Sequence, residues 1–462
     1  MKRVWNILRE RHQQRHQRDR QSGVALLVTI SVLALLIALV SEFTYQTTIY
    51  SAQAANARDE VRAHYMARSS VALSRLVIRI QQKFIDPIMS QIQKMMGGGA
   101  QAGQGAAAAG ATGTTGGDLG FSLRITDYAG SIMQFFGGSA EEGAALGSLI
   151  GLDLASAKGL GMKNGKIDAE ISAEDGKIDI NCGGGPVGNV ASQKQVYTLL
   201  SALTLSPRYN ALFTKRNSDG QFVDRADLAR GIIDWADQDE QMFDMIAGMS
   251  GTEDYRYDAR QDPYKAHNNY YDTPDEVGLV RGMDANFLEA FLPYLTVYSS
   301  DKQCKVNLAT VKGDCTPLLV GLIRAALIDP ATGRPKDLTV MEDARVYPVA
   351  SILCERGTAV GFDNLNTIAQ VMSNPAASIA RDDPRYQMMQ SMRGITITAG
   401  DLGKVAMVGS PKIYRVVATG ESGKVKKKIT VVIDTTRGPD FPMTNNFQAE
   451  RAAGILQYWR EE

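Results

Sequence analysis

Residues Val24 to Ser41 read VALLVTISVLALLIALVS, 18 consecutive residues without a charge. At about 1.5 Å per residue, a helix of that length spans roughly 27 Å, close to the hydrocarbon core of a bilayer. Before it stand Lys2, Arg3, Arg9, Arg11, Arg15, Arg18 and Arg20 against only Glu10 and Asp19. A basic flank stays cytoplasmic, which puts the C-terminal body on the far side of the membrane.

A secretory signal peptide would have a shorter apolar core with an A-x-A site directly after it. The small residues Ala52, Ala54, Ala55 and Ala57 instead lie more than ten residues beyond the run. An ordinary signal anchor fits the length. A third reading turns on Gly23, which stands between the basic leader and the apolar run. A short basic leader, a glycine and an uninterrupted apolar helix resemble the prepilin pattern. The resemblance implies a prepilin peptidase that cuts on the cytoplasmic side after Gly23, so that the mature chain begins at Val24.

The helical pattern does not stop at the membrane. From Glu42 to about Ile85 there is no Pro and no Gly. Ala72, Leu76, Ile80, Phe84 and Ile88 recur every four residues as an apolar ridge, while Arg58, Arg62, Arg68, Arg75 and Arg79 keep other faces wet. Pro87 is expected to end or kink this helix. A coiled-coil stalk is the bland alternative, but no strict heptad is sustained. A half-membrane, half-soluble helix resembles the spine of a pilin, whose ridge of Ala72, Leu76, Ile80 and Phe84 would pack on other spines. Most pilins carry a Glu five residues into the mature chain, and here that position is Val28. A charge buried in a membrane needs a partner. Its absence at Val28 fits a subunit with no neighbour ahead of it, at a filament tip.

Residues 97–120 are a Gly/Ala/Thr tract that reads as a linker, since neither a Walker-type Lys nor a strand-to-helix context surrounds its glycines. Ile167, Ala169 and Ile171 alternate with polar residues, and Ile178 and Ile180 do so again after Glu174-Asp175-Gly176, which reads as a hairpin. Ile395 and Ile397 open a further strand signal. Tyr414–Ala418 and Val425–Ile433 flank Glu421-Ser422-Gly423-Lys424, a second hairpin. About 200 mostly helical residues separate the two sets. The expected fold is α+β: a long pilin-like N-terminal helix packed on an antiparallel sheet, with a large, mostly α-helical domain inserted between strands. The expected boundaries are a leader at 1–23, membrane segment and spine at 24–96, linker at 97–120, and the first part of the β domain at 121–195. The inserted α-domain follows at 196–394, further strands at 395–436 and a C-terminal tail at 437–462.

Within the insert, LARGIIDWADQDE at 228–240, PYKAHNNYYDTPDEVGLVRGM at 263–283 and PYLTVYSSDKQCKVNLAT at 293–310 resemble the tip pseudopilin family of type II secretion, general secretion pathway protein K. The Tyr458-Trp459-Arg460-Glu461 ending is similar to that family's as well. The local physics agrees with helices: Leu228, Ile232 and Trp235 share a face, and Thr273-Pro274-Asp275-Glu276 is a capping box with Pro at the first helical position. Gly282 between two helices resembles a helix-hairpin-helix unit, which often binds DNA backbone. The unit lacks a basic rim, and the whole chain balances 50 basic against 50 acidic residues, so nucleic acid is not expected as a partner.

Carboxylates cluster after Trp235. A solvated acidic loop accounts for them, and so does a cation site, since hard cations take several oxygens. The resemblance implies calcium in this domain, with Asp237, Asp239, Glu253 and Asp254 as the expected ligands. The order is not that of an EF-hand. Four cysteines, Cys182, Cys304, Cys315 and Cys354, fit two disulfides in three connectivities, and Cys304–Cys315, close in sequence, is the first pairing to expect. Catalysis is not expected. Of four histidines, His12 and His16 lie in the leader, and His64 and His267 form no triad or zinc cluster with other groups.

The resemblance implies a structural subunit in the inner membrane with its body in the periplasm. It would assemble with other minor pseudopilins and the major pseudopilin at the tip of a secretion pseudopilus, with secreted substrates as a further class of contact. A minor pilin of a related type IV system, serving adhesion or DNA uptake, and a membrane-anchored periplasmic hydrolase are the alternatives.

Overall fold

The computed structural model describes residues 2–88, 91, 124–137, 165–185, 189–216, 220, 222–245, 251–253, 257, 264–298, 304–329, 334–359, 361–436 and 454–462. The Gly/Ala tract at 97–120 and residue Asp254 lie outside this set.

Helix α1 runs unbroken from Lys2 to Ile80, with Gly23 inside it. One π-turn, Gln81–Ile85, follows, and the chain is helical again to Ile88. Pro87 neither donates a backbone hydrogen bond nor tolerates the carbonyl four residues earlier at normal pitch. The wider turn just before it absorbs that conflict as a local distortion of the helix, of the kind expected at Pro87. Residues 24–41 are exposed on every side. This is the one helix among the described residues long and apolar enough to cross a membrane.

The strands are β1 (Gly165–Ala173), β2 (Ile178–Asp179), β3 (Leu295–Thr296), β4 (Val306–Asn307), β5 (Ala406–Met407), β6 (Ile413–Ser422), β7 (Val425–Asp434) and β8 (Ile455–Glu461). Four of them form an antiparallel sheet in the order β1-β6-β7-β8. The β6–β7 hairpin closes at Ser422↔Val425 with Gly423 at φ 59°, in the left-handed region glycine tolerates. Ile167, Ala169, Ile171, Val416, Ala418, Ile429 and Val431 point to one face and meet α1 there. On α1 the buried line is Ala63, Ala67, Ser70 and Ser74, all at 0% exposure. Small side chains at that spacing let the helix sit close to the strands, and Ser70 Oγ donates to the Asp168 carbonyl at 2.8 Å.

Between β1 and β6 comes the helical insert. Its helices, following α2 (Ala129–Gly137) on the sheet side, are α3 (Val190–Thr204), α4 (Asn210–Thr214), α5 (Arg225–Ala236), α6 (Ala285–Phe291), α7 (Thr316–Ala326), α8 (Asp343–Ala359), α9 (Leu365–Ser373), α10 (Tyr386–Ser391) and α11 (Ala399–Val405). The sequence TPLLVGLIRAA of α7 is apolar on nearly all sides, and every residue of it is buried. Its one charge, Arg324, bonds the Val340 and Met341 carbonyls and Asp343 Oδ1 at 3.1, 2.9 and 2.7 Å.

Four expectations change. Glu174-Asp175-Gly176 does not turn a hairpin: β1 pairs with β6, and β2 pairs in parallel with β3 of the insert. The turn is a joint, with Glu174 bonded to Arg415 of β6 at 2.5 Å and to Thr296 of β3 at 2.6 Å. Ile178, Ile180 and Cys182 therefore pack in the core of the insert. Ile395 and Ile397 are buried there too, but in irregular chain, and strand structure resumes only at β5 and β6. The tail ends in β8, which completes the sheet beside β7.

The cysteine pairing is the fourth. Cys182 pairs with Cys304 and Cys315 with Cys354, with Cα–Cα separations of 5.4 and 5.6 Å, so the expected Cys304–Cys315 bond is not formed. Nearness in sequence is outweighed by packing: Cys315 caps the start of α7, against which α8 carries Cys354, while Cys304 lies beside α3, and its Sγ is 3.9 Å from the Ser192 carbonyl.

Candidate functional site

Two features among the described residues bear first on function. The first is the outer face of α1. Because the helix buries Ala63, Ala67, Ser70 and Ser74 against the sheet, the opposite face is uncovered. It presents Val61, Tyr65, Leu76, Phe84 and Ile88 at 56, 62, 48, 64 and 52% exposure, with Ala72 exposed among them. Of the sequence-derived ridge, Ala72, Leu76 and Phe84 are thus on the open face. Ile80 is half-buried and packs against the core shared with the sheet. A spacing of four drifts by about 40° per step on a 3.6-residue helix. The π-turn inserts one residue's worth of rotation, which brings Phe84 back toward the line of Val61 and Ala72. The stripe continues in sequence from the apolar span; Val28, within that span, is 56% exposed. Gly23, where the leader meets the span, is exposed, and a Cβ there would touch nothing within 4 Å.

The second feature is a buried carboxylate cluster at the C-terminal end of α5. The apolar face of α5 (Leu228, Ile232, Trp235) packs inward, and Asp234 sits in its last turn at 1% exposure. Asp237 is the C-cap, and its N–H bonds the Ile233 carbonyl. The next loop folds back through a bridge of Gln241 with Thr252, and Glu253 N–H donates to the Glu240 carbonyl at 3.3 Å. This returns Glu253, 1% exposed, to the helix end. One oxygen from each of Asp234, Asp237 and Glu253 lies within 4.8 Å of the others. Gln193 Nε2 donates to Asp237 Oδ2 at 3.1 Å, and the Phe243 N–H to Asp234 Oδ1 at 2.8 Å. Burial, then Asp234 and Asp239, push the Asp237 carboxyl up to about 8. The cluster also stands at the negative end of a helix dipole. Such a site is relieved by a shared proton or by a cation.

Of the four carboxylates expected from the sequence, Asp237 and Glu253 meet here. Asp239 does not: it is exposed, and its Oδ1 accepts from the Gln241 N–H at 2.8 Å. Asp234 takes its place in the cluster. Its signal was available, since a residue three positions before Asp237 stacks one helical turn below it. The thiols and histidines add nothing here: all four cysteines are in disulfides, and His267 faces Trp235 at a ring distance of 6.2 Å.

Residues 188–300 match the model of a family described as type II secretion system (T2SS), protein K. The type II secretion system protein K of Aeromonas hydrophila is 31% identical over 134 residues, covering 27% of this chain and 39% of that protein. Its namesake from Klebsiella pneumoniae is 28% identical over 149 residues, covering 32% of this chain and 37% of the relative. The aligned stretch thus spans less than half the length of either relative. A solved GspK-GspI-GspJ complex from the type 2 secretion system of enterotoxigenic Escherichia coli includes a chain with 15% identity and a TM-score of 0.38, covering 65% of this chain and 80% of that one.

Proposed function

We propose, from the match of residues 188–300 to the model of the type II secretion system protein K family, that this chain is the minor pseudopilin that starts and caps a secretion pseudopilus. The observation that carries the mechanism is the exposed stripe on α1, continuous with a membrane-length apolar helix. Before assembly, the bilayer would cover residues 24–41 and hold the body in the periplasm. Cleavage after Gly23 by prepilin peptidase would free Val24 as the new terminus. Val61, Tyr65, Ala72, Leu76 and Phe84 would then pack on the spines of other minor pseudopilins, with major pseudopilin adding below. Burying each large side chain of that stripe is worth about 1.5–3 kcal/mol before the cost of association.

Capping follows from two properties of the chain. Val28 offers no carboxylate to the amine of a subunit arriving above, and the helical insert adds bulk beside the spine. A filament with this tip supports export of folded proteins across the outer membrane by pushing from below. The test is co-purification with the other minor pseudopilins. Leu76→Asp with Phe84→Asp abolishes the complex and leaves the circular dichroism and the thermal midpoint of the body unchanged, because both residues are exposed in the isolated chain. Undiminished complex formation by that double variant would overturn the packing role.

We infer that Asp234, Asp237 and Glu253 hold Ca²⁺. Three buried carboxylates at the negative end of a helix are the oxygen donors a hard cation takes, and no thiol or imidazole is in the set. The ion would tie Glu253 to the C-terminal end of α5. Isothermal titration with CaCl₂ tests it, and no heat of binding to the folded chain would remove the ion from the account.

A further inference from the structure

A cavity of about 830 Å³ opens where the edge of β1 that pairs with no strand among the described residues faces the insert. This is within the usual range of ligand pockets, about 300–1,000 Å³. Its walls include Ile171 and Ala173 of β1, Tyr294, and the loop bearing Lys312 and Asp314. The alternation of backbone hydrogen bonds decides which β1 groups face it. Glu174 N–H donates to the Ile413 carbonyl across the pair with β6, so the even-numbered residues of β1 bond β6 and the odd-numbered ones point outward. The structure treats the outward groups unequally. The Ala169 N–H is satisfied by the Asp168 carboxylate at 2.9 Å, and the start of α2 crosses the edge there, with Gly130 against Asp168 and Ala169. Two residues further on, Ile171 and Ala173 line the cavity instead.

The charges of the walls are also unequal. Lys177 is held by Glu174 at 3.0 Å, and Lys312 is paired with Asp127. Glu170 and Asp314 line the same cavity as exposed carboxylates, with Tyr294 beside Asp314. We propose that this cavity takes an extended segment of a partner protein, which adds as a strand to Ile171 and Ala173 and sets basic side chains against Glu170 and Asp314. Strand addition draws affinity from main-chain hydrogen bonds and specificity from alternate side chains, and this site offers both. The cavity lies on the edge of the sheet and not on the open face of α1, so strand addition there is independent of the spine's packing role.

The probe is the dye-labelled peptide Lys-Val-Lys-Val-Lys-Val, titrated by fluorescence anisotropy into the full chain in detergent micelles. The same peptide with alternate backbone nitrogens methylated, and its Glu-for-Lys analogue, serve as controls. Saturable binding by the first peptide, weakened about tenfold or more by methylation and by Glu-for-Lys exchange, is the expected result. Ala173→Pro removes one outward N–H without touching the ladder to β6, and Glu170→Gln with Asp314→Asn removes the charges from exposed positions. Each is expected to weaken binding about tenfold. Equal binding of the acidic or methylated peptide, binding indifferent to both variants, or no binding by any peptide would overturn the proposal.

Discussion

Gly420 of β6 lies directly against the backbone of Ala63 on α1: a Cβ at position 420 would stand 2.3 Å from the Ala63 carbonyl oxygen and 2.4 Å from the Ala67 nitrogen. Both neighbours are helix backbone and cannot rotate away. Gly420→Ala therefore has to lift the spine from the sheet, and overpacking of this kind costs about 1–3 kcal/mol. Gly403→Ala, whose new methyl would meet only the Leu365 side chain at 3.6 Å, is the control. Thermal denaturation of the two variants is expected to show a clear loss for the first and little change for the second.

The disulfides can be mapped without any assumption about function. Non-reducing digestion followed by mass spectrometry is expected to yield peptides joining Cys182 to Cys304 and Cys315 to Cys354, with none joining Cys304 to Cys315. The first bond spans 122 residues and the second 39. Loop-closure entropy then makes Cys182→Ser with Cys304→Ser the more costly pair, by roughly 1 kcal/mol within a general range of about 2–5 kcal/mol.

Glu174 ties the insert to the sheet and gives the joint a pH dependence. Burial opposes its ionisation, but Lys177 and Arg415 outweigh that, and the carboxyl is held below its ordinary value of 4.5. A depressed carboxylate contributes stability above its unfolded-state value, and the contribution is lost as pH falls through the folded-state value. The wild-type thermal midpoint is therefore expected to drop on acidification below about pH 4.5. Glu174→Gln should lack that component and be less stable at pH 7 by about 3–5 kcal/mol, because Arg415 loses its buried partner.

Calcium binding separates Asp234 from Asp239. Ca²⁺ at about 100 times its dissociation constant stabilises a folded site by about 2.7 kcal/mol, visible as a rise in thermal midpoint that EDTA reverses. Asp234→Asn and Glu253→Gln are expected to abolish the rise. Asp239→Asn, whose side chain is exposed and turned to its own loop, is expected to keep most of it.

What the sequence made legible was local. Val24–Ser41, the α5 face of Leu228, Ile232 and Trp235, the capping box at Thr273 and the hairpin around Gly423 each depend on neighbours within a few residues, and all appear in the structure. The pairing of segments distant in sequence was legible only in outline. An antiparallel sheet interrupted by a helical insert followed from where the strand signals fell, and β1–β6 pairing bears this out. Ile178 and Ile180 alternate as a strand should, but alternation does not name the partner, and burial in the insert won over a hairpin with β1. Ile395 and Ile397 carry the same pattern with no ladder at all; Ile395 N–H bonds the Met372 carbonyl instead. Cysteine pairing depends on how helices pack, which the spacing of residues does not encode, whereas Asp234 was within reach of helical spacing, one turn before Asp237. The α1 ridge was half legible: periodicity found Ala72, Leu76 and Phe84, while the face turned to the sheet proved to be the line of small residues from Ala63 to Ser74.

The N-terminal sequence of the protein recovered from membranes, with and without prepilin peptidase, tests the pseudopilin account most directly. A terminus at Val24 that appears only when the peptidase is present is the predicted result. An intact Met1 in both samples, or a cut near Ala55, would contradict it and leave an anchored or a released protein in place of a filament subunit.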